Sequence, residues 1–275
     1  MTFLYMLFLA HVLADFLFQT DRIVEEKSQL LWKGFIKHGI ALFICSFLAV
    51  HFYGLKLALY LSLLITLFHL LIDFSKNYLY SKVKKKELWF SPVIFIVDQI
   101  IHLYMVILFI DLFDFNIEPN ILGFYSWLFP LEIGINQKEY MLRIFPINKC
   151  LITVIAYLYI TLGGAILTRM VIDWIFPKKN QGVIDGCLII KPSNHIGKYI
   201  GIFERTIILT LVLYGSYSAV AFVLTAKSIA RFNELKNKDF AEYYLIGTLV
   251  SLLIAIGGGL LLQSILPVFD YEYLS

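Results

Sequence analysis

Four histidines and three aspartates are the residues best suited to chemistry, because they sit in or beside runs too apolar for ordinary surface helices. They are His11 with Asp15, His38, His69 with Asp73, and Asp98 with His102. Each His/Asp pair is spaced i,i+4, so on a helix both side chains leave the same face. Ionisable groups in such surroundings are costly unless they are paired, hydrated or bound to a metal. Imidazoles together with carboxylates are ligands for a divalent metal, zinc first, with iron or manganese as alternatives. Seven such groups are enough for two metals, or for one metal beside an acid/base pair. A metal there would draw the pKa of a bound water down towards about 7.

His11, Asp15, His69, Asp73, Asp98 and His102 are the expected ligands, with His38 a further ligand or a general base. Other polar residues nearby could serve a substrate. Gln19 continues the His11/Asp15 face, Lys76 continues the His69/Asp73 face at i+3, and Gln99 adjoins Asp98. Lys27 and Arg22 lie at the neighbouring membrane surface, where they could hold a phosphate or carboxylate. Catalytic roles are therefore expected of His38, Lys76 and Gln19, and substrate binding of Lys27, Gln99 and Arg22.

The elements that must position these residues are membrane helices. Of the 275 residues 60% are hydrophobic and only 16% charged, well below the roughly 25% usual in soluble proteins. The mean hydropathy is +0.79. The runs are apolar on all sides, which excludes the alternation of a β-barrel. The expected fold is all-α, a polytopic helical membrane bundle of about seven transmembrane helices, with the polar site between the first four. A spanning helix needs about 20 mostly apolar residues. Such spans fall at 1–20, 35–53, 55–75, from Ser91-Pro92 to near Asp111–Asp114, and at about 150–176, 206–226 and 243–266. A short amphipathic piece around 24–33 suits the interface. Residues 1–114 form the four-helix region with the cluster, 115–149 an interfacial or re-entrant connection containing Ile121–Leu131, and 150–275 a three-helix region.

Lysine and arginine set the expected topology. The 21–37 and 76–87 loops are basic and the 51–56 turn is not, which puts the N-terminus outside and both basic loops in the cytoplasm. With a rise of about 1.5 Å per residue, all seven His/Asp residues then share one band in the cytoplasmic leaflet. The basic clusters follow the positive-inside rule, so nucleic acid is not an expected partner. Cys45, Cys150 and Cys187 form no CxxC pair, which excludes a disulfide framework or zinc ribbon. No cleavable signal peptide is expected, since cutting would discard His11 and Asp15.

The pattern His11-x-x-x-Asp15-Phe-x-x-Gln19, Lys27, His38, His69-x-x-x-Asp73-x-x-Lys76 and Asp98-Gln99-x-x-His102 resembles a bacterial multi-pass membrane protein family known as domain of unknown function 3307. Longer members are similar in the C-terminal part as well, where this chain has Gly197-x-x-x-Gly201-x-x-Glu204-Arg205, Ala226–Phe232 and Glu242–Thr248. The resemblance supports the cluster and carries no activity. A weaker likeness is to membrane proteins described as metal-dependent hydrolases.

The leading expectation is a metal-dependent membrane hydrolase acting on a lipid or lipid-linked substrate from the cytoplasmic leaflet. The alternative is a transporter or channel for metal ions or protons that uses the same cluster. Few polar residues occupy the outer halves of the first four spans (Cys45, Ser46, Ser62 and Thr66 are the main ones), which favours a one-sided site. In the C-terminal part, Lys227, Arg231, Arg205, Glu204 and Glu242 read first as interfacial anchors and ion pairs. An anion site from the same residues is the second reading. The expected topology opposes it by placing Arg205 and Lys227 at opposite ends of one span.

Overall fold

The computed structural model describes residues 2–82, 91–110, 113, 118–128, 147–176 and 194–267. Every regular element among the described residues is helical. In order these are α1 (Thr2–Val12), a π-helical turn (Leu13–Phe18), α2 (Asp21–Ser28), α3 (Trp32–Val50), α4 (Leu55–Lys82), α5 (Ser91–Ile110), α6 (Pro119–Leu128), α7 (Ile147–Leu158), a second π turn (Tyr159–Gly163), α8 (Gly164–Ile175), α9 (Asn194–Leu213), α10 (Tyr217–Ala230) and α11 (Lys238–Ile265).

Five stretches among the described residues are long and apolar enough to cross a membrane: Trp32–Tyr53, Leu55–Lys82, Ser91–Phe109, Ile147–Ile175 and Lys238–Ile265. The expected first span corresponds to Thr2–Phe18, which bends by 91° into α2. The single helix expected at 206–226 is two helices. Gly215 sits at φ +68° and ends α9. Its N–H donates to Val212 O at 2.9 Å and that of Ser216 to Leu211 O at 2.8 Å, the paired bonds of a Schellman cap. The chain then turns back into α10. Of the interfacial piece expected at 121–131, residues 121–128 belong to α6, while 129–131 lie outside the described residues, as do the 177–193 part of the polar segment and Cys187.

The chain divides into two compact units, Met1–Glu87 with Ile94–Ile155, and Leu88–Val93 with Ala156–Ser275. In the first, α1, α3, α4 and α5 enclose Leu7, Leu42, Val50, Ala58, Leu61, Ile65, Met105 and Val106. Burying each such side chain is worth about 1.5–3 kcal/mol in water. In the second unit, Ile208, Val212, Val220 and Ala255 form the core. Gly258 and Gly259 let α11 approach its neighbours, since an added Cβ would lie 2.5 Å from Ile160 and 2.7 Å from Val212.

Candidate functional site

The site is built where four helices of the first unit turn their few ionisable residues inward. The helical period puts Ser62, Thr66, His69 and Asp73 on one buried stripe of α4, and His38, Leu42 and Ser46 on the facing stripe of α3. Gly39 lets these stripes meet closely, because an added Cβ would lie 2.8 Å from Leu70 and 3.5 Å from Thr66. Asp98 and His102 come from α5 and His11 from the end of α1. Asp15 leaves the π turn, whose wider i→i+5 winding re-aims side chains relative to an α-helix.

The imidazoles of His38, His69 and His102 are completely buried, at 0% exposure. Their rings form a connected set. His69 lies 4.0 Å from His102 and 5.0 Å from His38 between centroids, and His11 stacks on His102 at 5.4 Å. The Nε2 atoms of His38 and His69 stand 2.9 Å apart. Both face the same two carboxylate oxygens, Asp15 Oδ1 at 3.4 and 3.4 Å and Asp73 Oδ2 at 3.5 and 3.6 Å. Ligand bonds of 2.0–2.1 Å to a tetrahedral zinc give donor–donor edges of about 3.3–3.4 Å. The four nitrogen–oxygen spacings lie at or just above that edge, and the two nitrogens stand closer together than it.

Two further groups adjoin this set, His11 with Asp15 and His69, and Asp73 with Asp98 and His102, the candidate donors of each lying within 4.8 Å of one another. The tautomer of His102 is dictated by its neighbours. Nδ1 stands 2.8 Å from the backbone carbonyl of Asp98, which can only accept, so Nδ1 carries the proton. Nε2 is then a free lone pair, buried without a hydrogen-bond partner. Backbone orientation of this kind is how protein ligands of metals are held. His11 Nε2 and Asp15 Oδ1 are also buried without hydrogen-bond partners, a costly condition for polar atoms.

Two lysines complete the centre. Lys76 bridges the acids of two helices, 3.1 Å from Asp73 Oδ1 and 2.8 Å from Asp98 Oδ2. Lys27, only 3% exposed, turns inward from α2 to an ion pair with Asp73 Oδ2 and reaches Gln19 Oε1 at 3.4 Å. The sequence reading placed Lys27 at the membrane surface, and the 91° bend after the π turn brings it into the cluster instead. The α2 helix is held down by Lys37, which donates to both oxygens of Glu26 at 2.8 Å. Gly34 leaves room for it, since an added Cβ would lie 2.8 Å from Glu26 Cβ and 2.9 Å from the backbone nitrogen of Lys27. Nothing in the sequence singled out Gly34.

Of the residues expected to serve a substrate, Gln99 donates to Asp15 Oδ2 at 3.4 Å and Gln19 meets Lys27. Arg22 is not brought in. Its side chain is 82% exposed and pairs with Glu26 at 3.2 Å.

All seven His/Asp residues, both lysines and both glutamines fall within the stretch that a known family covers. Residues 3–126 match the family described as a protein of unknown function, DUF3307. The resemblance read from the spaced His/Asp motifs is to that family. The DUF3307 segment thus contains the whole polar centre, from His11 to His102. No curated protein and no solved structure matches the chain.

Proposed function

We propose that the cluster of the DUF3307 segment holds a divalent metal, zinc first, and that the protein is a metal-dependent hydrolase of a membrane lipid or lipid-linked substrate. The observation that carries the reading is the four-atom set of His38 Nε2, His69 Nε2, Asp15 Oδ1 and Asp73 Oδ2. His38, which the sequence left between ligand and base, goes here with the ligands. The Asp98/His102 group shares Asp73 and suits a second metal or an acid/base pair.

When bound, a divalent ion supplies a Lewis acid and a water acidic enough to act as nucleophile at neutral pH. The chain's own groups do the rest. His102 Nε2 can take a proton at a buried position, and Lys76 can neutralise charge on a leaving oxygen. The apolar helix faces keep bulk water out. Counted with neutral imidazoles, Asp15, Asp73 and Asp98 outweigh Lys27 and Lys76 by one negative charge. One divalent ion reverses that to a single positive charge, which suits an anionic head group such as a phosphate ester. The apolar surroundings suit the acyl or prenyl part of such a substrate.

In this reading the chain is a polytopic bundle of the cell membrane. Thr2–Phe18 and the α9–α10 hairpin join the five apolar helices, with the N-terminus outside and the basic loops 21–37 and 76–87 cytoplasmic. The experiment is the metal content of detergent-purified protein by elemental mass spectrometry, beside His11→Ala and His69→Ala. One or two metals per chain, lost in His69→Ala, support the reading and open a screen of phosphorylated and acylated lipids. Metal-free wild type overturns it.

A second reading has an observation of its own. The imidazoles of His38, His69, His102 and His11 form a continuous ring-to-ring series, which suits a proton relay. Proton flux in proteoliposomes, abolished by His69→Ala without any metal, would favour it.

A further inference from the structure

A second polar centre lies wholly in the second unit, and it rests on none of the metal reading. It is organised around Arg205, a guanidinium only 2% exposed. Nε donates to the Thr161 carbonyl at 3.2 Å and Nη1 to Ser251 Oγ at 3.0 Å. The carbonyl of Thr161 belongs to the π turn Tyr159–Gly163. Two glycines clear the space. A Cβ on Gly164 would lie 3.2 Å from Arg205 Cδ, and one on Gly201 3.3 and 3.4 Å from Nη1 and Nη2.

The hairpin at Gly215 brings a second cation to the same place. Lys227 donates to Glu204 Oε2 at 2.6 Å and to Thr248 Oγ1 at 3.1 Å. The two residues that the expected single span would have held at opposite ends are therefore neighbours. Thr248 and Ser251 are spaced i,i+3 on α11, so the two cations dock on hydroxyls one turn apart on one helix face. Glu204 is buried and spends its charge on Lys227. Among the described residues no carboxylate pairs with Arg205, and its Nη2 makes no hydrogen bond. One carboxylate thus answers two cations between two apolar helices, which leaves a net positive charge that is costly unless a ligand completes it.

We propose that Arg205, with Lys227 and the hydroxyls of Ser251 and Thr248, forms a binding site for a singly charged oxyanion of the phosphate class. A guanidinium presents N–H groups in a fork that matches two phosphate oxygens, and the hydroxyls can donate to a third. The chemistry is shared by two sources, the phosphodiester of an anionic phospholipid and free inorganic phosphate.

The test uses the full chain in detergent, with two probes: phosphatidylglycerol against phosphatidylcholine retained on the protein in native mass spectrometry, and inorganic phosphate in a thermal-shift titration. Retention of phosphatidylglycerol at least ten-fold above phosphatidylcholine identifies the lipid headgroup as the source. A saturable phosphate shift without lipid preference identifies free phosphate. Either response should fall at least ten-fold in Arg205→Leu and in Gly201→Val, whose side chain would crowd the guanidinium. Ser251→Ala, a smaller change, should lower it several-fold and keeps the test valid if Arg205→Leu fails to fold. Equal binding of both lipids with no phosphate shift, or binding unchanged in the variants that fold, overturns the proposal.

Discussion

His38 and His69, on neighbouring helices, face each other through their Nε2 atoms at 2.9 Å, with Asp15 and Asp73 on either side. A hydrogen bond between two imidazole nitrogens needs one donor, so a proton occupies the space between them. A divalent ion bound by both nitrogens displaces it, and the ring that carried it must shift to the Nδ1–H tautomer. With both imidazoles neutral, zinc loading is therefore expected to release no net proton. Calorimetric titration with zinc in two buffers of different ionisation enthalpy checks this, and His69→Gln should abolish the zinc uptake. Release of about one proton per zinc would show instead that the pair shares an extra proton before the metal binds.

Asp73 serves two cations, the buried Lys27 and the half-buried Lys76. Asp73→Asn leaves Lys27 beside a neutral amide and is expected to cost about 3–5 kcal/mol. Asp98→Asn should cost less, because Lys76 keeps its contact with Asp73. Thermal unfolding of both variants in one detergent checks the order, and an equal cost for the two would argue against the shared role of Asp73.

Gly34 sets how closely α2 lies on α3. Gly34→Ala pushes against Glu26 Cβ and the Lys27 backbone, neither of which can yield cheaply, and should cost about 1–3 kcal/mol. Its signature is local. Protease cleavage within 20–31 should rise while the α3–α4 pair stays protected, and uniform loss of protection would place the strain elsewhere.

The same helix carries a pH dependence. The hydrogen bond from Lys37 holds the Glu26 carboxyl below its ordinary range. A carboxyl depressed in the folded state contributes stability that is fully present above its unfolded pKa of about 4.3 and is lost as pH falls through the lower folded value. Docking of α2 should therefore weaken on acidification below about pH 4.3. Fluorescence of Trp32, at the start of α3, gives the readout, and Glu26→Gln should flatten the profile.

Ser62 and Thr66 are buried with hydroxyl oxygens that make no hydrogen bond. Ser75, Thr206 and Thr210 instead donate to the carbonyl four residues back. Ser62→Ala is expected to be neutral or to stabilise by up to about 1 kcal/mol, with metal content unchanged. A clear loss of stability in thermal unfolding would mean that an internal water satisfies the hydroxyl, and would strengthen the relay reading.

What the sequence disclosed follows from periodicity. His69 and Asp73, like Asp98 and His102, share a face because four residues make about one helical turn, and the apolar composition is enough for the all-helical architecture. Features that depend on chain direction between helices stayed hidden. The inward turn of Lys27 needs the bend after Phe18, and no local composition signals it. Gly215 was a readable stop signal inside the apolar stretch 206–226, yet hydropathy ran across it, and the pairing of Lys227 with Glu204 was hidden with it. Thr161 and Ser251 carry no pattern of their own and gain meaning only from the guanidinium between them.

Both buried polar centres hang on a π turn, Leu13–Phe18 for Asp15 and Tyr159–Gly163 for the Thr161 carbonyl. Each such turn holds one residue more than an α-helix would need. Losing a single codon there would let the helix rewind to its ordinary pitch with the flanking faces nearly in register, because the wider winding absorbs about one residue. The apolar stretch would survive such a deletion in length and composition, while the group that the turn re-aims, Asp15 or the Thr161 carbonyl, lost its place in the centre. These two short stretches should therefore tolerate exchange of side chains far better than any change in their count.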